Sequence, residues 1–305
     1  MTNTAETRYE FGKNWQRFVR RNFSSERCDI AKKRLLRFTG CESLGGLDFL
    51  DIGCGSGLHS LAAYEAGADR VFSFDYDPLS VAASEMLRQS AGNPPNWHIE
   101  RGDILDQDYI ARLGKWNFVY CWGVLHHTGD IWQAVRNAES SVAVGGTFYL
   151  ALYSSDVVSP EVQNFWLAKK QKYNKSGRLK RAHMMWWYIW THQMQRQWRR
   201  LPEFLRRAAA YKLNRGMSIF ADIRDWLGGW PMEYVADQAV VDLLEQEHGF
   251  ELVNVSTGEA CTEFLFRRTG TPTKGTIVTE MAVTKTEPQQ SNRPWNLQLA
   301  DTAVG

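Results

Sequence analysis

"FLDIGCGSGLHS", residues 49–60, runs a strand-like apolar stretch into a turn with Gly53, Gly55 and Gly57 at every second position. Glycines after a strand mark a backbone that must turn sharply or approach a ligand closely. Three ligand classes compete for such a loop. A nucleoside triphosphate loop needs GxxxxGK[ST], and no lysine follows these glycines. A dinucleotide fingerprint needs GxGxxG; Gly53 and Gly55 fit, but Leu58 stands where the third glycine belongs. The third class is another cofactor with an adenosine end. Packing alone also generates glycine-rich strand-to-helix turns, so the loop needs support from elsewhere in the chain.

Working outward, strands alternate with helices. Residues 47–52 read as a buried strand, and residues 58–66 as a helix beginning past the glycines. Residues 71–74 form the next strand, ending on Asp75, and "DPLSVAASEMLRQS" a helix with Pro78 in its first turn, where helix starts favour it. Further strands are expected at 97–100, at 116–122 ("WNFVYCW") and at 145–153 ("GGTFYLALY"), the last entered through a glycine pair, with the helix "GDIWQAVRNAESSV" ahead of it. This alternation predicts an α/β fold with a parallel, doubly wound, Rossmann-like sheet. "FELVNVST" and "CTEFLFRR" lie close together and predict a final hairpin at one sheet edge. Ahead of the sheet, Ser24 and Ser25 can cap a helix over 26–38, with Gly40 as its stop.

Open α/β sheets bind ligands outside the carboxyl ends of their strands, and four stretches fall on that rim. They are the glycine loop, Asp75 with Tyr76, Asp103 with Ile104 in "RGDIL", and "CWGVLHH" with Trp122 and Gly123. An acid after the second strand accepts hydrogen bonds from both ribose hydroxyls. An acid after the third can receive an adenine amino group. Taken together, D-x-G-x-G-x-G (Asp51, Gly53, Gly55, Gly57) and these acids make residues 49–153, with the terminal hairpin, resemble class I S-adenosylmethionine-dependent methyltransferases. The resemblance implies a seven-stranded sheet with an antiparallel last strand. It also implies S-adenosylmethionine as cofactor, leaving as S-adenosylhomocysteine. Carried over, the methionine part lies on Asp51, Gly53, Cys54, Gly55, Gly57 and Leu58. The ribose falls to Asp75 with Tyr76, and adenine to Asp103 with Ile104; Trp122 and Gly123 complete the cofactor rim. "YEFGKNWQRF" resembles the N-terminal lid of a bacterial subfamily that pairs FGxNW with GVLHHTGD and DWxGGxP. Tyr9, Phe11, Asn14 and Trp15 are then expected to close over the cofactor. The alternative is an amphipathic helix packed on the sheet.

Methyl transfer from a sulfonium needs an acceptor aligned behind the methyl, water excluded, and a base where the acceptor carries a proton. His126 and His127 follow the fourth strand, and histidine titrates near neutrality, so they are the candidate bases. The alternative gives one of them a capping role beside Asp130 and the other a packing role. No third ligand joins this pair and no Asp…Asp-Asn arrangement can be placed, so no metal is expected. In "RGMSIFADIRDWLGGWPMEYV", Arg215, Asp222, Asp225 and Glu233 offer polar handles and Trp226 and Trp230 an aromatic wall for an acceptor. An interdomain packing loop is the competing reading.

The net charge of +2 hides an uneven layout. From Glu161 to Arg215 there are fourteen Lys/Arg against Glu161 and Glu203, about +12, leaving about −10 for the rest. This stretch also carries "MMWWYIW". It reads as a helical cap with tryptophans in its own core, as a membrane-surface helix, or as a nucleic-acid surface, over 165–212. In the docking readings Lys169, Lys170, Arg199 and Arg200 supply cations. Five dispersed cysteines without a CxxC pair predict reduced thiols, and with no export signal at residues 1–18 the expectation is a cytoplasmic protein. The expected organisation is a lid and helix over 1–40, a cofactor core over 41–153 and the basic aromatic cap over 154–235. The core resumes over 236–268, and a disordered tail follows over 269–305. The expected activity is methyl transfer to O or N of a small acceptor such as a sugar or natural-product intermediate. A lipid, quinone or RNA acceptor docked by the basic stretch is the alternative, and a non-catalytic cofactor-binding scaffold a third.

Overall fold

The computed structural model describes residues 9–215, 219–258 and 260–271, without the side chains of 22, 210–215 and 221. Nearly all of the tail expected to be disordered lies outside the described residues. Seven strands form one sheet in the order β3-β2-β1-β4-β5-β7-β6. Their ranges are β1 Asp48–Ile52, β2 Arg70–Asp75, β3 Trp97–Arg101, β4 Trp116–Trp122, β5 Val142–Tyr153, β6 Phe250–Thr257 and β7 Cys261–Arg268. The first five are mutually parallel, and β7 runs antiparallel between β5 and β6. This is the expected Rossmann-like sheet, with the hairpin β6–β7 at its edge.

Alternation along the strands sends successive side chains to opposite faces. In β1, Phe49 joins the layer under α2 (Ser25–Thr39) and α3 (Leu58–Glu65), with Leu35, Leu61 and Phe118. Leu50 joins the opposite layer, with Val119, Ala134 and Phe148 under α6 (Ile131–Ser140). Both faces of the sheet are covered, as an all-parallel centre requires. α4 (Pro78–Ser90) and α5 (Gln107–Leu113) complete the crossovers. β5 begins at Val142, earlier than the glycine pair that the sequence placed at its start. Its pairing with β4 shifts register between Trp116 and Phe118, and Gly145–Gly146 form the irregularity. A side chain at Gly146 would stand 3.0 Å from the Asn117 carbonyl oxygen, so the kink needs glycine.

Asp51 points inward from β1 and ends a buried polar chain. The Trp97 indole, which can only donate, gives its N–H to Ser73 Oγ at 2.9 Å; Ser73 donates to Ser60 Oγ at 2.8 Å, and Ser60 to Asp51. Burial pushes Asp51 up to about 7, and the Ser60 hydrogen bond pulls it back. Ser60→Ala strips the buried carboxylate of this donor. It is expected to cost about 1–3 kcal/mol, read as a melting temperature roughly 2–10 °C lower.

The segment between β5 and β6 is helical: α7 Pro160–Asn174, α8 Arg178–Tyr188 running on through a π turn at Ile189–Gln193, α9 Leu201–Arg215 and α10 Ile219–Gly228, before α11 Asp237–Asp242. It has its own core, in which Trp166, Tyr173, Met184, Tyr188, Phe204, Ile223 and Trp226 are buried together. Its two ends meet at the rim: Val235 N–H donates to Tyr153 O at 3.0 Å, and Ser155 N–H to Val235 O at 2.8 Å. The excursion is therefore rooted over the carboxyl end of β5.

Candidate functional site

The sheet order reverses between β1 and β4, and the loops leaving these strands touch. Gly53 has φ +71°, and a side chain there would lie 2.4 Å from Val124 Cγ1, in the loop after β4. Gly53 and Cys54 N–H groups donate to Phe74 O of β2 at 2.8 and 3.0 Å, and Cys54 is buried against Ser84. Gly55 and Gly57 also adopt positive φ, and Gly57 precedes Leu58, the first residue of α3.

Asp75 anchors this loop from the end of β2. Its Oδ2 accepts the Gly55 N–H at 3.0 Å and its Oδ1 the Asp77 N–H at 2.9 Å. Burial pushes its carboxyl up to about 6, and these two backbone bonds pull it down. A hydrogen bond from the Ser80 side chain lowers it as well. Next to it, Tyr76 is exposed beneath the Arg101 guanidinium, 5.6 Å from the ring centroid, and Arg101 Nε donates to Tyr76 O at 3.2 Å. After β3, Asp103 Oδ1 accepts the Leu105 N–H at 3.0 Å, while Ile104 is buried and its carbonyl accepts from Asn137 at 2.7 Å. The rim acids thus stand on neighbouring strand ends.

The N-terminal segment forms a helix, α1 Gly12–Asn22, that packs on α4 rather than on the sheet. Its entry is tied down by Gly12 N–H, which donates to Asp77 Oδ2 at 2.7 Å. Trp15 lies over the glycine loop, its ring 3.2 Å from where a Gly55 side chain would begin. Asp225 in α10 accepts the Tyr9 hydroxyl at 3.0 Å and the Asn14 amide on the same oxygen. Tyr9 N–H donates to Trp230 O at 2.9 Å, and the Phe11 ring meets the His127 ring at 5.3 Å. So the FGxNW and DWxGGxP stretches, far apart in sequence, interlock above the loop. A side chain at Gly228 would meet the Tyr9 ring at 2.2 Å. Gly228→Ala is expected to push Tyr9 off Asp225, at about 1–3 kcal/mol of overpacking, with a lower melting temperature and faster proteolysis of the N-terminal segment.

Of the two histidines, His126 is buried. Its Nδ1 accepts the Tyr153 N–H at 3.3 Å and its ring packs 4.1 Å from Tyr153. Burial holds it well below the usual histidine range. His127 Nδ1 lies 2.7 Å from Pro231 O. A carbonyl only accepts, so Nδ1 carries the proton and Nε2 keeps its lone pair. Burial lowers His127 to about 4; the Pro231 hydrogen bond raises it and the nearby Lys170 charge lowers it further.

The residues expected to wall an acceptor are spread unevenly. Asp222 and Trp226 are buried in the cap, Trp230 keeps exposed surface, and Glu233 N–H donates to His126 O at 2.9 Å. Arg215 closes α9, and its side chain lies outside the described residues. Lys170 corrects the docking expectation. It is 1% exposed, donates to Trp226 O and holds its ammonium 4.1 Å from the Trp226 ring centroid, with burial lowering it to about 7. The signal was present: Val162, Trp166, Lys170 and Tyr173 share one helix face, and all are buried. Trp122 turns to the α2 side, where it lines a recess with Arg34, His59, Tyr120 and Tyr149. Arg34 pairs there with Glu263, which also accepts the Tyr149 hydroxyl. These residues come from five elements, and no local motif announces them. Gly123, with φ +75°, donates to Ala151 O at 3.1 Å. Among the described residues, no group of three or more His, Cys, Asp or Glu side chains is arranged to hold a metal ion.

Residues 50–148 match the family model of a methyltransferase domain. A ubiquinone biosynthesis O-methyltransferase of Methylobacterium sp. (strain 4-46) is 30% identical over 37% of this chain and 43% of its own length. A tRNA U34 carboxymethyltransferase of Shewanella loihica is 24% identical over 51% of this chain and 43% of its own length. The chain spans less than half the length of the curated relatives it matches. Among solved structures, an O-methyltransferase family protein from Burkholderia thailandensis aligns over 81% of this chain and 56% of its own, with TM-score 0.49 and 11% identity.

Proposed function

We propose that this chain, a class I S-adenosylmethionine-dependent methyltransferase, moves the methyl group by in-line displacement onto an oxygen or nitrogen of a small-molecule acceptor. The observation that carries this reading is the meeting of four parts at one end of the sheet: the glycine loop, the Asp75 carboxylate, the interlocked lid and His127. S-adenosylmethionine supplies a methyl group that its sulfonium already makes electrophilic. Asp75, held by two backbone N–H groups and the Ser80 side chain, presents its carboxylate to the ribose hydroxyls, with Asp103 beside it for adenine. Gly53, Gly55 and Gly57 let the loop turn tightly against Val124, Trp15 and Ser84, this loop carries the methionine part, and Trp15 and Phe11 exclude water above it. His127 Nε2 accepts the acceptor's proton, and the Pro231 carbonyl fixes the tautomer that this requires. Trp230 and Glu233 border the acceptor's approach, while Tyr9, Asn14 and Asp225 hold the lid shut.

Labelled methyl from S-adenosylmethionine, followed into a cell extract separated into small-molecule, lipid, and nucleic-acid plus protein fractions, tests this. Label in the small-molecule fraction is expected. The Methylobacterium relative is named for ubiquinone biosynthesis and the Shewanella relative for tRNA, so label in the lipid or RNA fraction is the contrary result. Binding of cofactor without label in any fraction, across extracts from several growth conditions, would favour a scaffold.

A further inference from the structure

The cap uses most of its aromatic rings internally, but one line of apolar side chains faces outward. On α8, Leu179 is 90% exposed and Trp186 56% exposed. A helix advances about 100° per residue, which places Leu179, Ala182, His183 and Trp186 within about 60° of one line along its surface. All four are exposed. Arg178 and Lys180 fall about 100° to either side of that line, so cations flank the stripe on both edges. Past the end of α8, Trp190 is half-buried against the cap's core and its ring meets that of Trp198 at 4.5 Å, and Trp198 is 69% exposed. Arg199 and Arg200 follow directly. The opposite side of α8, through Met184 and Tyr188, is sealed into the cap's core.

We propose that this outward stripe is a docking surface for an anionic lipid bilayer. An interfacial helix has this form: an apolar line with tryptophans at headgroup depth, edged by Lys/Arg whose stems snorkel toward lipid phosphates. Arg178, Lys180 and Arg199 are exposed beside the stripe, so that face carries cations that an anionic surface attracts. A single-stranded RNA would reward rings interleaved with cations along a groove. It gives no return for Leu179, the most exposed of these side chains. The stripe uses none of the residues of the cofactor rim, the lid or the His127 site, so the proposal stands apart from the acceptor's identity.

The test is co-sedimentation of the full chain with vesicles of phosphatidylcholine alone or with 30% phosphatidylglycerol at low and physiological salt, together with quenching of tryptophan fluorescence by brominated lipid. Binding is expected to require the anionic lipid, to weaken with salt, and to show quenching. The double variant Leu179→Ala/Trp186→Ala should bind about tenfold or more weakly, and Arg178→Glu/Lys180→Glu similarly, with S-adenosylhomocysteine binding retained as the control for folding. Brominated-lipid quenching of the wild-type chain needs no variant and reads insertion directly. Absence of binding to anionic vesicles at low salt would overturn the proposal, as would binding without quenching. Undiminished binding by a folded double variant would do the same, and so would a stripe that instead joins two copies of the chain or takes RNA in preference to vesicles.

Discussion

His127→Ala is expected to lower kcat by about 10²- to 10⁴-fold while S-adenosylhomocysteine binds within about threefold of the wild type. The ring packs against Phe11 and lies 3.3 Å from where a Gly229 side chain would begin, so alanine also leaves a gap under the lid. His127→Gln fills that gap without restoring a base and separates the two effects; it should be nearly as slow. The pH profile adds an independent reading. A base works unprotonated, and His127 is lowered to about 4, so its limb in kcat at saturating S-adenosylmethionine should lie toward pH 4, below the fall in kcat/KM that Asp75, raised to about 6, brings through cofactor binding. An unperturbed histidine would place that limb near 6.5. Stability follows with the same sign. The folded pKa lies below the unfolded one, so the unfolded chain binds more protons between about 6.5 and 4. The His127 contribution is therefore complete above 6.5 and lost as pH falls through 4. Accordingly, the melting temperature of His127→Gln should decline less than that of the wild type between pH 6.5 and 4.5. An acid limb of kcat near 6.5 at saturating cofactor, or a His127→Gln variant with normal turnover, would remove His127 from the chemistry.

Asp75→Ala is expected to weaken S-adenosylhomocysteine binding about a hundredfold in calorimetric titration, since each hydrogen bond to a charged group contributes about 1.5–3 kcal/mol. Two losses combine here. The ribose hydroxyls lose their acceptor, and the Gly55 and Asp77 N–H groups lose the carboxylate that holds the loop. Asp75→Asn keeps one carbonyl oxygen and should fall between the wild type and alanine. Unchanged affinity in Asp75→Ala would place the cofactor elsewhere on the molecule.

The sheet and its rim were legible because their signals are local. Each strand end carries its own punctuation, a glycine run after β1 and an acid after β2 and β3, and a strand buried on both faces reads as an apolar run. The interlock between Tyr9, Asn14 and Asp225 was half legible. The sequence marked both stretches, but nothing in their spacing shows that they touch across more than two hundred positions. Lys170 was misread because charge normally signals solvent. Its burial depends on the Trp226 carbonyl and ring, which arrive from another helix. The tryptophans of "MMWWYIW" divide between core and surface according to helical phase, which composition alone does not carry. Trp186 points out, while Trp187 beside it in the sequence packs half-buried against the cap's core.

Hydrogen–deuterium exchange of the full chain with and without S-adenosylhomocysteine tests the site assignment most directly. Protection is predicted at residues 53–58, 75–77 and 103–105, together with the lid at 9–15 and its partner at 225–231. Protection confined to other segments, or no change at saturating ligand, would contradict the placement of the cofactor under the lid.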